Sequence, residues 1–483
     1  MKPKPLNAAD FKHLGIEVVH KLSDFLEGIN ERDLTSAETP SELQKILTQE
    51  GIPENGMDPK ELIDEVFDRL LDHSLYNGHP GFMGYITSSA LPIGALADFI
   101  ASTINQNVGG WRLSPMASEI ERQSVSWIAD FIGYDKDCGG VLVSGGNMAN
   151  FLGFLTAKTI KGGVEIAKKG LKQEDKQLLC YTSEETHTWI QKASDLFGLG
   201  KDAVRWIPTD KNGQMKLDLL ADAIKEDLKA GHKPFLVAGT AGSVSFGVVD
   251  PLSEIAEICK KYDLWFHIDG AYGAPAAASA LAAPELKDLH LGDSIAMDPH
   301  KWLYSPLEVG CTLVKNPEHL RQTFSHSPEY YEFGTQNDEI DYHEYGLQNS
   351  RGFRALKVWM GFKMLGRKGF IELIDKDIEL SRLLAEKTKE YECIEVYSNH
   401  LSITTFRFIP QKLMGKSEEF QNEINELNKD ILHKIFHSGK AFVSNAYVNQ
   451  VYLLRACLVN FRTRERDLDT LLELVDSFGK ELS

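Results

Sequence analysis

Apolar residues recur at three- and four-residue intervals between Phe11 and Leu26, the spacing of one helix face. A further helix opens at Pro40-Ser41-Glu42-Leu43, with Ser41 expected as its N-cap and Gly51 as its stop. Residues 1–78 therefore read as a helical segment. Its apolar faces are too small for a core of their own, so they need the main body or a second copy to lie against. From 79 to 368 the pattern changes. Short, nearly unbroken apolar runs at 141–143, 178–182, 235–239, 265–269, 294–297 and 310–314 alternate with helical stretches such as 217–230 and 251–261. Apolar strands separated by helices imply an α/β unit, a mostly parallel sheet with helices on both faces. Residues 369–483 begin with a long amphipathic helix at 370–392. Strand-like pieces follow at 394–397, 403–408 and 452–458, then a last helix at 468–478, an α+β arrangement.

The 483 residues suit about three such units, and 42% hydrophobic with 25% charged residues is a globular balance that excludes disorder as the main state. With 52 basic against 70 acidic residues the formal charge is −18, and no Lys/Arg cluster offers a nucleic-acid surface. The most apolar stretch, 90–104, contains Pro92 and Asp98, so a buried helix is expected there rather than a membrane span. The first ten residues are charged and lack an apolar stretch, so no secretory signal is expected. Six Cys, at 138, 180, 259, 311, 393 and 457, have no C-x-x-C spacing. That argues against a zinc site or a disulfide scaffold and for reduced thiols in the cytoplasm.

Ligands of open parallel sheets bind beyond the carboxyl ends of the strands, so the residues after each strand matter most. Ser144-Gly145-Gly146-Asn147 is a strand–turn–helix junction. Its small residues and free helix amides suit a phosphate, although a plain tight turn would look the same. His187 follows the strand ending near Thr182. Most histidines in such places are caps or surface residues, but a flat imidazole can also stack on an aromatic ligand. His267 and Asp269 share one face of an apolar strand. A buried, ionised Asp needs a cationic partner, and Ala271 and Gly273 leave room beside it that an internal salt bridge would not require. In Asp298-Pro299-His300-Lys301-Trp302 a lysine follows an apolar strand and looks enclosed by Trp302, Tyr304 and the next strand. An enclosed lysine is a Schiff-base candidate. An acid for a pyridinium nitrogen, a lysine for an aldehyde, a helix N-terminus for a phosphate and a ring to stack on meet the needs of pyridoxal 5'-phosphate (PLP).

His267-Ile-Asp-Gly-Ala-Tyr-Gly and Asp293-Ser-Ile-Ala-Met-Asp-Pro-His-Lys-Trp-Leu resemble the group II PLP-dependent amino-acid decarboxylases, and the Pro-His-Lys-Trp form is most similar to the aromatic-L-amino-acid decarboxylase branch. The likeness extends over His79-Pro80, Ser114-Pro115, Glu119, 346–364 and Leu454-Arg455 with Arg462-Thr463. It implies a type I, aspartate aminotransferase-like fold in which Lys301 holds PLP, Asp269 keeps the ring nitrogen protonated and His187 stacks on the ring. Gly146, Asn147, Ser294 and His300 would surround the phosphate, with Ser243 and Ala271 also at the cofactor. Tyr330 matches a loop tyrosine that returns a proton to the substrate carbon. Tyr85, Ile86 and His187 would meet the substrate. The resemblance also implies a homodimer with shared sites. Departures are Asp298 where Asn is usual, Asn147 for a hydroxyl residue, Val244 for Thr, and Val108-Gly109-Gly110 without an aromatic.

Two other readings compete. A transaminase, lyase or aldehyde synthase would keep PLP, although Tyr330 favours decarboxylation. A non-catalytic protein holding a nucleotide at Gly145-Gly146 would leave Lys301 and Asp269 without a role. For the substrate, the segment from Phe82 to Ile86 is apolar and aromatic, and no Arg or Lys lies between Gly81 and Gly110. Together with the space expected at Gly109 and Gly110, this favours an aromatic amino acid over an acidic one. Arg112 lies just beyond.

Overall fold

A computed structural model describes residues 5–47, 51–163, 166, 169–171, 176–326 and 339–483. The strands are β1 (Phe82–Met83), β2 (Gly139–Val143), β3 (Leu178–Ser183), β4 (Val204–Ile207), β5 (Lys233–Thr240) and β6 (Trp265–Asp269), then β7 (Ser294–Met297), β8 (Gly310–Val314), β9 (Ile394–His400), β10 (Ile403–Phe408), β11 (Phe442–Val448) and β12 (Val451–Cys457). Seven form one sheet in the order β2-β8-β7-β6-β5-β3-β4. Strands β3 to β7 are parallel to their neighbours, and β8 runs antiparallel to both β7 and β2. Every residue of β2, β3, β6, β7 and β8 is buried. Alternate strand residues face opposite sides, so both faces are covered. The Gly146–Gly162 helix packs across β5 to β8, and the Leu252–Tyr262 helix against β5 and β6.

This topology sends the carboxyl ends of β2, β5, β6 and β7 to one edge. There Thr240 pairs with Asp269, Asp269 with Ala296, and Val143 with Gly310, where β8 begins.

The second sheet, β1-β11-β12-β10-β9, lies in the C-terminal part with the Gln421–His437 and Glu465–Leu482 helices. Its edge strand β1 comes from far up the chain and runs parallel to β11. The pattern showed neither β1, β4 nor β11. The long helix is Ala355–Lys387, not one that starts at Phe370. It is broken at Gly366, whose φ of 63° and ψ of 179° only glycine takes without strain.

The amino-terminal helices are Ala8–Gly28, Pro40–Ile46 and Pro59–Asp72. The second is capped by Thr39 rather than Ser41, because Pro40 fills the first helical position, where its missing N–H costs nothing. Thr39 N donates to the Glu42 carboxylate at 2.8 Å. Phe11, Ile16, Val19, Leu22 and Leu26 stay exposed on the first helix, Leu62, Val66 and Leu70 on the third, and Leu96, Phe99 and Ile100 on Pro92–Ile104. An apolar groove of about 650 Å³ runs between the first and third helices and reaches Leu307.

Candidate active site

A cavity of about 410 Å³ opens at the shared strand edge, and Leu307 lines it too. Gly145, with φ of 113°, turns β2 into the Gly146–Gly162 helix. A Cβ on Gly146 would lie 2.5 Å from Asp298 Oδ2, so glycine is required. The first amides of that helix have no acceptor inside it and carry positive potential to the cavity wall.

Asp269 ends β6 and is buried. Trp189 Nε1 donates to its Oδ2 at 2.7 Å and Ala271 N to its Oδ1 at 3.2 Å. Both donors are neutral, so neither bond neutralises the carboxylate. Its strand neighbour His267 faces a buried chain of bonds. Trp265 Nε1 can only donate, so Ser294 Oγ accepts it at 2.8 Å and gives its own proton to His267 Nδ1 at 2.7 Å. His267 Nε2 then meets Asn150 Oδ1 at 2.7 Å. Burial holds the His267 pKa down to about 4, so the ring is neutral.

Lys301 Nζ lies 2.9 Å from Asp298 Oδ2. His300 Nδ1 meets the Val309 carbonyl at 2.8 Å, and its Nε2 stands 3.8 Å from the same carboxylate. Burial lowers the His300 pKa, with Asp298 opposing that. His187 is at the mouth of the cavity. Desolvation by the surrounding protein lowers its pKa, and Asp269 acts in the opposite sense. Trp302 and Tyr304 hold the lysine loop from behind. Both donate to Asp377 Oδ2, Trp302 Nε1 at 3.0 Å, and the Tyr272 ring stacks on Trp302 with centroids 4.9 Å apart.

Of the residues singled out from sequence, Ile86, Gly146, Asn147, His187, Asp269, Ala271, His300 and Lys301 line this cavity. Three others do not. Ser294 sits at the amino end of β7, the wrong end of the strand, and serves the His267 chain. Ser243 is buried in its own turn, its hydroxyl accepting from Val248 N at 3.3 Å. Tyr85 is exposed and packs on Phe442. Tyr330 lies outside the described residues. Gly109 opens no space, since a Cβ there would collide with the Asn349 carbonyl. With Gly110 and Arg112 it lines a separate cavity of about 160 Å³, where Arg112 Nε is 3.6 Å from Glu339.

Sequence reasoning missed Trp189 and Asp377. Trp189 stands two residues past His187, so an aromatic beside the candidate was in view. Asp377 is on a distant helix, and nothing local marks it.

The residues fit PLP. A side-chain-free cradle opens a helix, an acid held by neutral donors ends β6, a lysine emerges after β7, and an imidazole stands at the mouth. An α/β scaffold carrying these four groups at one sheet edge defines a PLP enzyme of the type I fold.

Residues 40–409 match the family described as the pyridoxal-dependent decarboxylase conserved domain. An aromatic-L-amino-acid decarboxylase of Bacillus atrophaeus is 33% identical, covering 99% of this chain and 97% of that protein. An acidic amino acid decarboxylase of Xenopus tropicalis is 29% identical, covering 96% of this chain and 91% of that protein. The solved structure of Oryza sativa TDC with PLP and tryptamine has a TM-score of 0.91 at 24% identity, with all of both chains covered. The chain belongs to the pyridoxal-dependent decarboxylase family and is a PLP-dependent carboxy-lyase of amino acids.

Proposed function

We propose that the chain decarboxylates an aromatic L-amino acid to its amine and carbon dioxide, as a cytoplasmic homodimer. One observation carries the substrate reading. Among the described residues that line the cavity, Lys301 is the only Lys or Arg, and the cofactor claims it. A second substrate carboxylate would have to be buried without a cation, at a cost of several kcal/mol. The 33% identity to an aromatic-L-amino-acid decarboxylase supports the same choice. The exposed apolar faces of the amino-terminal helices support the dimer. Six free cysteines support a reducing compartment.

Bound PLP supplies the sink for the electron pair left when carbon dioxide departs. The protein's residues prepare it. Lys301 would hold the cofactor through Nζ. Asp269, oriented by Trp189, would keep a proton on the ring nitrogen. His187 would cover the ring face, and the first turn of the Gly146–Gly162 helix, with Asn147 and His300, would receive the phosphate. Ile86 would close the substrate side.

An acidic substrate is the second reading, and Arg455 favours it. This guanidinium is buried behind Val244, donating to the Val244 carbonyl and to Ser444 Oγ. No carboxylate pairs with it among the described residues. The deciding experiment compares kcat/KM for carbon dioxide release from tryptophan, tyrosine, phenylalanine, glutamate and aspartate with PLP added. The proposal expects an aromatic substrate to lead by at least about tenfold, and a lead for an acidic one overturns it. Amine must form in step with carbon dioxide, whereas aldehyde as main product would point to oxidative chemistry.

A further inference from the structure

Asp298 is 1% exposed and stands over the mouth of the Gly146–Gly162 helix. Its Oδ2 holds Lys301 Nζ at 2.9 Å. Its Oδ1 is buried and has no hydrogen-bond partner among the described residues. The main chain beneath the carboxylate is pinned, since Asp298 N donates to the Ala271 carbonyl at 3.1 Å and Lys301 N to the Asp298 carbonyl at 2.9 Å. Burial and the contact with Lys301 place the carboxylate beside the first turn of the helix. Asp269 and Glu308 also line the cavity, but Glu308 is paired with Arg354 at 3.0 Å and Asp269 accepts from Trp189 and Ala271, which leaves Asp298 as the carboxylate on the lysine. A phosphate dianion offers Asp298 Oδ1 no proton, and the two repel at short range.

We propose that Asp298 is a built-in competitor of the cofactor phosphate for the helix N-terminus, so that the chain binds PLP loosely and exchanges it readily. This rests on the reading above that the phosphate sits at the start of the Gly146–Gly162 helix. It makes Asp298 a determinant of cofactor affinity rather than of the chemical step.

The test is Asp298→Asn, which keeps the shape and removes the charge, with Asp298→Ser as a second variant should the first not fold. Equilibrium affinities for PLP and for pyridoxal, which lacks the phosphate, are measured at pH 8 by absorbance titration. Sulfate, which has neither ring nor aldehyde, is titrated by thermal shift. The proposal expects the variant to bind PLP at least tenfold tighter than wild type, pyridoxal to change less than threefold, and sulfate to stabilise the variant at lower concentration. Equal or weaker PLP binding by the variant overturns it, and so does an equal gain for pyridoxal, since the repulsion would then not concern the phosphate. Borohydride labelling at saturating PLP separates the two possible failures. Label on Lys301 in both proteins with no difference in affinity overturns the role of Asp298 alone. No label on Lys301 overturns the site reading and this inference together.

Discussion

The bond from Trp189 Nε1 to Asp269 Oδ2, 2.7 Å long in a buried setting, fixes one oxygen of the carboxylate that is proposed above to hold the ring-nitrogen proton. Asp269→Asn keeps the shape and the bond but loses the charge, so kcat should fall by about a hundredfold or more while PLP still binds. Single-turnover carbon dioxide release together with the visible cofactor spectrum checks this, and near-normal turnover would refute it. Trp189→Phe removes one hydrogen bond to a charged group, worth about 1.5–3 kcal/mol. It should cost less activity than Asp269→Asn and lower Tm, and a larger loss than Asp269→Asn would mean Trp189 does more than orient. Lys301 and Asp269 were legible because polar groups closing apolar strands stand out against the pattern. Ser294 was misjudged because the motif around it does not say which end of a strand meets the ligand. Each residue advances a strand by about 3.3 Å, and Ser294 lies three residues back from Met297.

The lysine loop is held by an element far from it in sequence. The Ala355–Lys387 helix supplies Asp377, which accepts from Trp302 and Tyr304. Burial pushes the Asp377 pKa up to about 7, above the unfolded value of about 3.9. The folded chain therefore keeps a proton there that the unfolded chain releases. The stability this group contributes is greatest below pH 4, falls as pH rises through the interval up to about 7, and levels off above it. Asp377→Asn cannot ionise, so the drop in Tm between pH 5 and pH 8 should shrink relative to wild type. Asp377→Ala leaves a buried indole N–H and a phenol without their acceptor, at a cost of roughly 2–4 kcal/mol by denaturant titration. Strands of the seven-stranded sheet were readable where both faces are buried. The half-buried β4 and the two-residue β1 were not, since neither has a run long enough to register, and β11 mixes buried and exposed positions. The same limit hid the start of the long helix, whose break at Gly366 splits its periodicity.

Over the whole molecule, the exposed apolar stripes of the Ala8–Gly28 and Pro59–Asp72 helices adjoin the groove that reaches Leu307, a wall of the active cavity. In the proposed dimer, assembly and activity should therefore be lost together. Leu22→Glu combined with Val66→Glu should give a monomer by sedimentation velocity and abolish turnover. A fully active monomer would show that the site is complete in one chain. Arg455 could not be assessed from sequence for a related reason, since its burial depends on β10, β11 and β12 meeting. The pairing of Phe82 with Phe442 and Met83 with Val443 bears on how the enzyme is made. During synthesis the seven strands of the main sheet have all left the ribosome long before residues 442–443 do. The segment leading to Ile86 must wait for them, its backbone groups unpaired and its aromatic side chains open to chaperones. The sheet edge that presents Lys301 and Asp269 can settle during translation, but the cavity wall at Ile86 forms only once residues 442–443 have emerged.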